Sequence, residues 1–269
     1  MRKLLSFLIV FLVVISSHQN LSAQSYKSFK IEKADTINRI DSNNHRQGKW
    51  IERRGMVFFV GYYINNYREG VWTFYGVDER PITFEEYHHG KKNGVTLVLD
   101  EDGKLRNERH FKNDKLDGLN AFYSKNSTLL LKRYYKDGEL HGDFFKYYEN
   151  GEILEYSYYQ YGKKDSISIF YDENGVTVAI IQYINGKLNG LYKTLYGNGI
   201  LRSEQYYKDD VPIDDYTEYH DNSRIKVKGQ YLNGEKDGKW LEYDINGRKT
   251  KETVYKKGEV IKEKVYIKN

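Results

Sequence analysis

The sequence predicts an all-β protein in which antiparallel β-hairpin repeats form one elongated, twisted sheet or half-pipe. Three observations support this fold class. Glycines recur at intervals of 24 residues, aromatic residues recur with the same period, and short aromatic runs alternate with turn-forming Asn, Asp and Gly. Self-similarity at a fixed period is the sequence signature of a repeat architecture. The count of 2 prolines also agrees with a chain made mostly of hydrogen-bonded strands.

Residues 1–23 differ in character from the rest of the chain. Arg2 and Lys3 precede an apolar run from Leu4 to Ile15, which is followed by small residues. This order is typical of a secretory signal peptide that is cleaved after Ala23. The alternative is a membrane anchor, but the run is shorter than the roughly 20 apolar residues of a spanning helix. We therefore expect an exported protein that is periplasmic, associated with the outer envelope or secreted.

The charge and cysteine content restrict the partners of the exported form. Without residues 1–23 the chain has 41 basic and 38 acidic residues, a net charge of +3. Lys and Glu are interleaved along every segment, whereas a nucleic-acid-binding surface gathers basic residues on one side. We expect no nucleic acid partner. The chain has 0 cysteines, so it has no disulfide and no thiol nucleophile.

The repeats occupy most of the exported chain. Residues 24–47 are interpreted as an N-terminal cap or linker, residues 48–262 as about nine repeats, and residues 263–269 as a C-terminal capping strand. Each unit is predicted to contain a strand of about six residues, a tight turn, a strand of about eight residues and a second turn. The glycines that begin most units are predicted to lie in turns: Gly70, Gly94, Gly118, Gly142, Gly190 and Gly238.

Aromatic residues occupy one position in every unit, seventeen residues after the glycine. We predict that they form a structural aromatic ladder across the sheet: Tyr87, Phe111, Tyr135, Tyr159, Tyr183, Tyr207, Tyr231 and Tyr255. The preceding residue faces the other side of the sheet, because side chains alternate along a strand. That position varies between units, as in a binding surface or an unconstrained surface. Tyr134, Tyr158 and Tyr206 are its candidate binding residues.

The repeat consensus resembles the MORN repeat variant of bacterial repeat proteins. The segments "YKDGELHGDF", "YINGKLNGLY" and "YLNGEKDGKW" carry the resemblance, which extends over residues 48–262. It implies a β-hairpin repeat sheet that contacts other proteins or membranes, and it implies no chemistry. Many such proteins are labelled as antitoxin components of toxin–antitoxin systems. Asp210 and Asp214 replace two glycines around Pro212, and we expect that turn to differ in shape.

Candidate metal and catalytic sites are weak in this sequence. The acidic residues between Asp209 and Asp215 are the best placed of several acidic clusters for a hard cation, but they lack the spacing of a calcium loop. His88 and His89 are adjacent, and alternation along a strand would point them to opposite sides. We therefore assign no metal site and no cofactor. Motifs of hydrolases and nucleotide-binding enzymes are missing from the sequence, so we expect no enzyme.

The leading functional hypothesis is an exported scaffold that binds a protein partner through an extended, aromatic-rich β-surface. Two alternatives remain open. One is an antitoxin or immunity-type partner of a toxin, and the other is a peripheral protein that binds a membrane surface through phospholipids.

Overall fold

The computed structural model describes residues 26–266, which form a sheet of 21 strands. The first strands are β1 (Tyr26–Glu32), β2 (Asp35–Asp41), β3 (Arg46–Arg54), β4 (Val57–Ile64), β5 (Tyr67–Tyr75), β6 (Pro81–His88), β7 (Lys91–Leu99), β8 (Leu105–Lys112), β9 (Lys115–Tyr123) and β10 (Leu129–Lys136). The others are β11 (Glu139–Tyr147), β12 (Ile153–Gln160), β13 (Lys163–Tyr171), β14 (Thr177–Ile184), β15 (Lys187–Leu195), β16 (Leu201–Lys208), β17 (Val211–Tyr219), β18 (Ile225–Leu232), β19 (Glu235–Tyr243), β20 (Lys249–Lys256) and β21 (Glu259–Val265).

Every described strand pairs antiparallel with its neighbours in sequence, so the strand order is β1 to β21 without a crossover. Among the described strands, β1 and β21 each have one neighbour, and the sheet is therefore open. This confirms the predicted all-β hairpin repeat. The predicted signal peptide lies outside the described residues. No helix among residues 26–266 is long and apolar enough to cross a membrane.

One repeat consists of a nine-residue strand and an eight-residue strand, as β7 and β8 illustrate. The predicted length of about eight residues is confirmed for the second strand. The predicted length of about six is too short for the first strand, because the glycine was assigned to the turn before it. In β7 the strand begins three residues earlier, at Lys91, and continues through Gly94. The glycine therefore lies within the strand.

Two-residue turns connect one repeat to the next. In the turn after β8, Asn113 and Asp114 have φ values of 50° and 68°, and in the turn after β10, Asp137 and Gly138 have values of 52° and 95°. Positive φ at both positions is the signature of a type I′ turn, whose twist matches that of the flanking strands. The pair of aspartates after β16 has φ values of 50° and 70°. The expectation that this turn differs in shape is wrong.

Pro212 is compatible with β17 because of its position. In the equivalent position of β15, the backbone N–H of Leu188 donates to Oδ1 of Asp210 at 2.7 Å, in the following turn. That N–H thus bonds to a side chain of the next repeat and not to a neighbouring strand. A proline has no N–H to donate, so Pro212 loses only this side-chain contact. In the turn between β18 and β19, Gly234 stands in place of the aspartate, and its own N–H donates to the carbonyl of Pro212 at 3.1 Å.

A cluster of buried aromatic side chains lies on one side of the sheet. Trp72 is 0% exposed and packs between Tyr63 and Tyr87, which are also buried. The ring of Tyr63 meets Trp72 edge-on at a centroid distance of 5.0 Å. We call the side with these three residues the Trp72 face. Since the sheet is a single layer, aromatic rings provide the buried area that a second layer would contribute in a globular domain.

Candidate functional site

The glycines predicted in turns lie inside strands. Gly94 in β7 and Gly142 in β11 have φ values of 121° and 105°. At both sites the pairing with the preceding strand shifts register, which indicates a β-bulge. The same holds for the other members of the set: Gly70, Gly118, Gly190 and Gly238. Glycine is favoured because the bulge needs positive φ, which side chains of L-residues disfavour.

The aromatic ladder lies directly opposite these glycines. Gly94 pairs with Phe111 and Gly142 pairs with Tyr159, so these ladder rings lie above a residue without a side chain. Two ladder residues differ, because Tyr183 lies opposite Ser166 and Tyr231 lies opposite Asp214. The rings also contact aromatic rings of neighbouring strands. The centroid distances are 5.4 Å for Phe144 and Tyr159, 6.0 Å for Tyr192 and Tyr207, and 5.2 Å for Tyr231 and Trp240. These contacts support the structural role that the sequence assigns to the ladder.

Electrostatics on the Trp72 face agree with this structural role. Burial and the hydrogen bond to Glu85 raise the pKa of Tyr87 to about 12, although Arg68 acts in the opposite direction. The hydroxyl of Tyr87 donates to Oε2 of Glu85 at 2.6 Å, and Arg68 Nη1 donates to the Tyr87 oxygen at 3.3 Å. The guanidinium carbon of Arg68 also lies 4.2 Å from the ring centroid of Trp72. Tyr87 is therefore a neutral core residue at physiological pH.

Two of the three candidate binding tyrosines lie two strands apart. Tyr134 lies in β10 and Tyr158 in β12, on the two sides of β11, and Tyr158 is the cross-strand partner of Asp143. By strand alternation, both face away from the Trp72 face. We call this opposite side the Tyr134 face. Tyr206 lies on the same face in β16, four strands from β12 or about 19 Å away at the usual strand spacing. It is 46% exposed.

A groove of about 500 Å³ adjoins Tyr134. Its lining is charged with both signs: Lys112, Lys136, Asp117, Asp137 and Asp143. We call it the Tyr134 groove. The bulge at Gly142 forms part of its wall. Tyr134 is half-buried and lines the groove. The arrangement suits a polar segment with an apolar or aromatic side chain, and it contains no pair of groups arranged as a nucleophile and a base.

Variation at the position of Tyr134 also has a structural cause that the sequence analysis missed. In two other units, the residue at this position accepts a hydrogen bond from a bulge in the next strand. Glu86 Oε2 accepts from the N–H of Val95 at 3.1 Å, and Gln182 Oε1 accepts from the N–H of Leu191 at 2.7 Å. The signal in the sequence is a Glu or Gln eight residues before a repeat glycine, as Glu86 stands before Gly94.

A second cavity, of about 260 Å³, lies on the Trp72 face between tyrosines. Its aromatic lining consists of Tyr192, Tyr207, Tyr216 and Tyr231. Gln205 lies at its base, where its amide nitrogen donates to the carbonyls of Tyr206 and Ile213, and its Oε1 has no hydrogen-bond partner. The cavity was not predicted from the sequence: Tyr207 and Tyr231 were assigned to the ladder, and Tyr192 and Tyr216 were given no role.

The acidic segment proposed as the best cation candidate takes part in the sheet instead. Asp210 accepts a backbone hydrogen bond in its turn, as described above, and Asp215 Oδ1 accepts from Gln230 Nε2 at 2.8 Å. At another acidic cluster, Asp100 Oδ1 accepts from the N–H groups of Asp102 and Lys104 at 3.0 and 2.8 Å. Carboxylates engaged in this way stabilise turns.

His88 and His89 do not point to opposite sides of the sheet, as strand alternation had predicted. Only His88 belongs to β6, which ends at that residue. His89 has a φ of 49° and begins the two-residue turn, so strand alternation does not apply to it. Both rings lie beside Glu69, and their ligand atoms are within 4.8 Å of one another.

Fold and site together define a non-globular β-hairpin repeat protein with surface grooves. Three of its segments match a known repeat family. The family model of the MORN repeat variant matches residues 92–113, 140–161 and 188–209. Each match covers one strand pair joined by the longer turn, namely β7–β8, β11–β12 and β15–β16. The chain therefore carries MORN-type repeats, as the sequence resemblance predicted. A comparison with curated proteins found no match.

Proposed function

We propose that the protein is an exported, non-enzymatic repeat scaffold that binds another protein through the Tyr134 groove. The observation that carries this proposal is the open groove lined by Tyr134 and Asp143, with Tyr158 opposite Asp143 on the next strand. Tyrosine is enriched at the centres of protein interfaces because it combines a large apolar area with a polar tip. A repeat sheet supplies the rigid, extended support for such a surface.

The charges of the groove favour a protein partner over a membrane. Its two lysines and three aspartates suit a segment that carries both signs of charge, whereas anionic lipid headgroups attract clusters of basic residues. The near-neutral charge of the chain without residues 1–23 supports the same choice. An antitoxin-like role is a narrower form of this proposal, in which the partner is a toxin.

Capture from an envelope fraction tests the proposal. The immobilised protein is compared with a Tyr134→Ser/Tyr158→Ser variant and with Phe29→Ser, a control that removes a ring 56% exposed in β1. Loss of a central aromatic residue typically weakens an interface by roughly 2 kcal/mol or more. We expect one partner, identified by mass spectrometry, whose affinity falls more than about tenfold in the double variant and is unchanged in the control.

Three further measurements complete the experiment. Far-ultraviolet circular dichroism shows that the double variant is folded. Sedimentation with anionic phospholipid vesicles tests the membrane alternative, and binding to vesicles without any captured protein contradicts the proposal. N-terminal sequencing of the exported form tests the export step, for which we expect a chain that begins near Gln24. A protein that retains Arg2 and is recovered from membranes indicates an anchor instead.

A further inference from the structure

Three side chains at one corner of the Tyr134 face converge around a point in solvent. His88 Nδ1 lies 2.6 Å from Oε1 of Glu69, and His88 Nε2 lies 2.9 Å from Nδ1 of His89. The backbone N–H of His89 donates to the other carboxylate oxygen of Glu69 at 2.8 Å. The two imidazole rings meet edge-on at a centroid distance of 4.2 Å.

The backbone explains why these groups meet. Gly70 in β5 pairs with Tyr87 in β6, which places the preceding residue, Glu69, next to His88. The type I′ turn then bends the chain at His89, so that the ring of His89 returns toward the ring of His88. Among the described residues, no other group of His, Asp and Glu brings three potential ligand atoms within 4.8 Å.

The hydrogen bonds define which nitrogen atoms carry lone pairs. The carboxylate oxygens of Glu69 accept hydrogen bonds from the ring of His88 and from the N–H of His89. With a carboxylate oxygen as the acceptor, Nδ1 of His88 is the donor and carries the proton. Nε2 of the same ring keeps its lone pair and faces Nδ1 of His89. Metal-binding histidines commonly have this arrangement, in which a carboxylate orients the ring.

The distance between the facing nitrogens is close to that of two ligands on one ion. Nitrogens at 2.0–2.1 Å from a tetrahedral zinc ion lie about 3.3 Å apart. Binding requires the two exposed rings to turn until both lone pairs point at one ion, and this movement also increases the separation of 2.9 Å to this value. The proton on Nδ1 of His89 moves to Nε2 of that ring through solvent, so no net proton is released. The remaining coordination positions face solvent and are open to water.

We propose that Glu69, His88 and His89 form a binding site for a divalent transition-metal ion of the zinc class. Nε2 of His88 and Nδ1 of His89 are the ligands, and Glu69 is a positioning residue that orients His88. Imidazole ligands favour Zn²⁺, Ni²⁺ and Cu²⁺ over the hard cations Mg²⁺ and Ca²⁺. This inference is independent of protein binding at the Tyr134 groove.

Isothermal titration calorimetry of the full chain, purified without a polyhistidine tag, tests the proposal. We expect one Zn²⁺ ion per chain and no binding of Mg²⁺ at the same concentration. His88→Ala and His89→Ala should each weaken Zn²⁺ binding more than tenfold. Glu69→Gln should weaken it by about 10- to 100-fold, which is the usual effect of losing a carboxylate that orients a metal-binding histidine.

His110 provides the matched control. Its Nε2 lies 2.7 Å from Oε1 of Glu108, so it forms a histidine–carboxylate pair without a second imidazole. His110→Ala should leave Zn²⁺ affinity unchanged. Histidine ring signals in NMR spectra, recorded during a Zn²⁺ titration of the parent protein, provide evidence that needs no variant. Shifts confined to His88 and His89 support the site. Shifts spread over all histidines, or unchanged affinity in either alanine variant, overturn it.

Discussion

Substitution of Gly61 tests how the buried aromatic cluster is packed. Gly61 in β4 lies under the indole of Trp72, and a Cβ atom added there falls 2.2 Å from Cδ2 of the indole. The φ of Gly61 lies outside the left-handed region, so alanine at this position causes no backbone strain. Trp72 is fully buried, and its Nε1 donates to the carbonyl of Tyr62 at 3.1 Å. The indole therefore has no free direction in which to move.

We expect Gly61→Ala to lower the free energy of unfolding by about 1–3 kcal/mol, the usual cost of overpacking a buried site. Urea unfolding followed by circular dichroism measures this change. Gly197→Ala is the matched control, since Gly197 also lies outside the left-handed region and an added Cβ meets nothing within 4 Å. The control should be neutral or slightly stabilising, because alanine restricts the unfolded chain.

A double-mutant cycle separates the steric effect from other causes. In the Gly61→Ala/Trp72→Leu variant, the smaller side chain leaves room for the added methyl group. The loss in the double variant should then be smaller than the sum of the two single losses, with a coupling of about 0.5–3 kcal/mol. Additive losses, or a Gly61→Ala variant as stable as the Gly197→Ala control, would refute the packing argument.

Three further outcomes follow from the structure. Deletion of one period, from Gly118 to His141, should leave a folded protein, whereas deletion of twelve residues from the same point should not, as thermal melts followed by circular dichroism will show. The pKa of Tyr87 in the folded protein, about 12, is above the usual tyrosine value of 10.0, so its stabilising contribution is complete below pH 10 and is lost as pH rises through 12. Tyr87→Phe should remove this part of the alkaline destabilisation measured by urea unfolding. Lys262→Thr/Lys264→Thr in the edge strand β21 should cause self-association visible by light scattering, and a double variant as dispersed as the parent protein contradicts the capping role.

The fold could be predicted because its determinants are local. Pairs such as Asn185 and Gly186 favour type I′ turns by themselves, and the regular distance between turns determines which strands pair. The conformation of each repeat glycine could not be predicted in the same way. Positive φ is needed both in a turn and in a bulge, and the spacing of Gly94 or Gly142 does not distinguish them. Only the pairing with Phe111 or Tyr159 places these glycines within strands.

The sites depended on non-local geometry and were less predictable. His89 was interpreted with the alternation of a strand, but it begins a turn, and Glu69 approaches it from a neighbouring strand. The contact of Gly61 with Trp72 was also missed, although the sequence contains a signal. Gly61 precedes Trp72 by eleven residues, and Gly229 precedes Trp240 by the same distance in sequence. A Cβ added at Gly229 also falls 2.2 Å from the indole of Trp240.

The position of Tyr134 within its repeat connects the architecture with the proposed function. At that position Glu86 and Gln182 provide an oxygen that accepts a hydrogen bond from a bulge. Tyr134 instead places an aromatic ring there, beside Gly142. A Cβ atom added to Gly142 would lie 3.5 Å from the Cβ of Tyr134. The bulges next to Tyr134, Tyr158 and Tyr206 form without such an oxygen, so the fold does not fix the residue type at this position. A position that the fold leaves free is available for recognition, and this is why we propose Tyr134 and Tyr158, on the two sides of Asp143, as the binding residues.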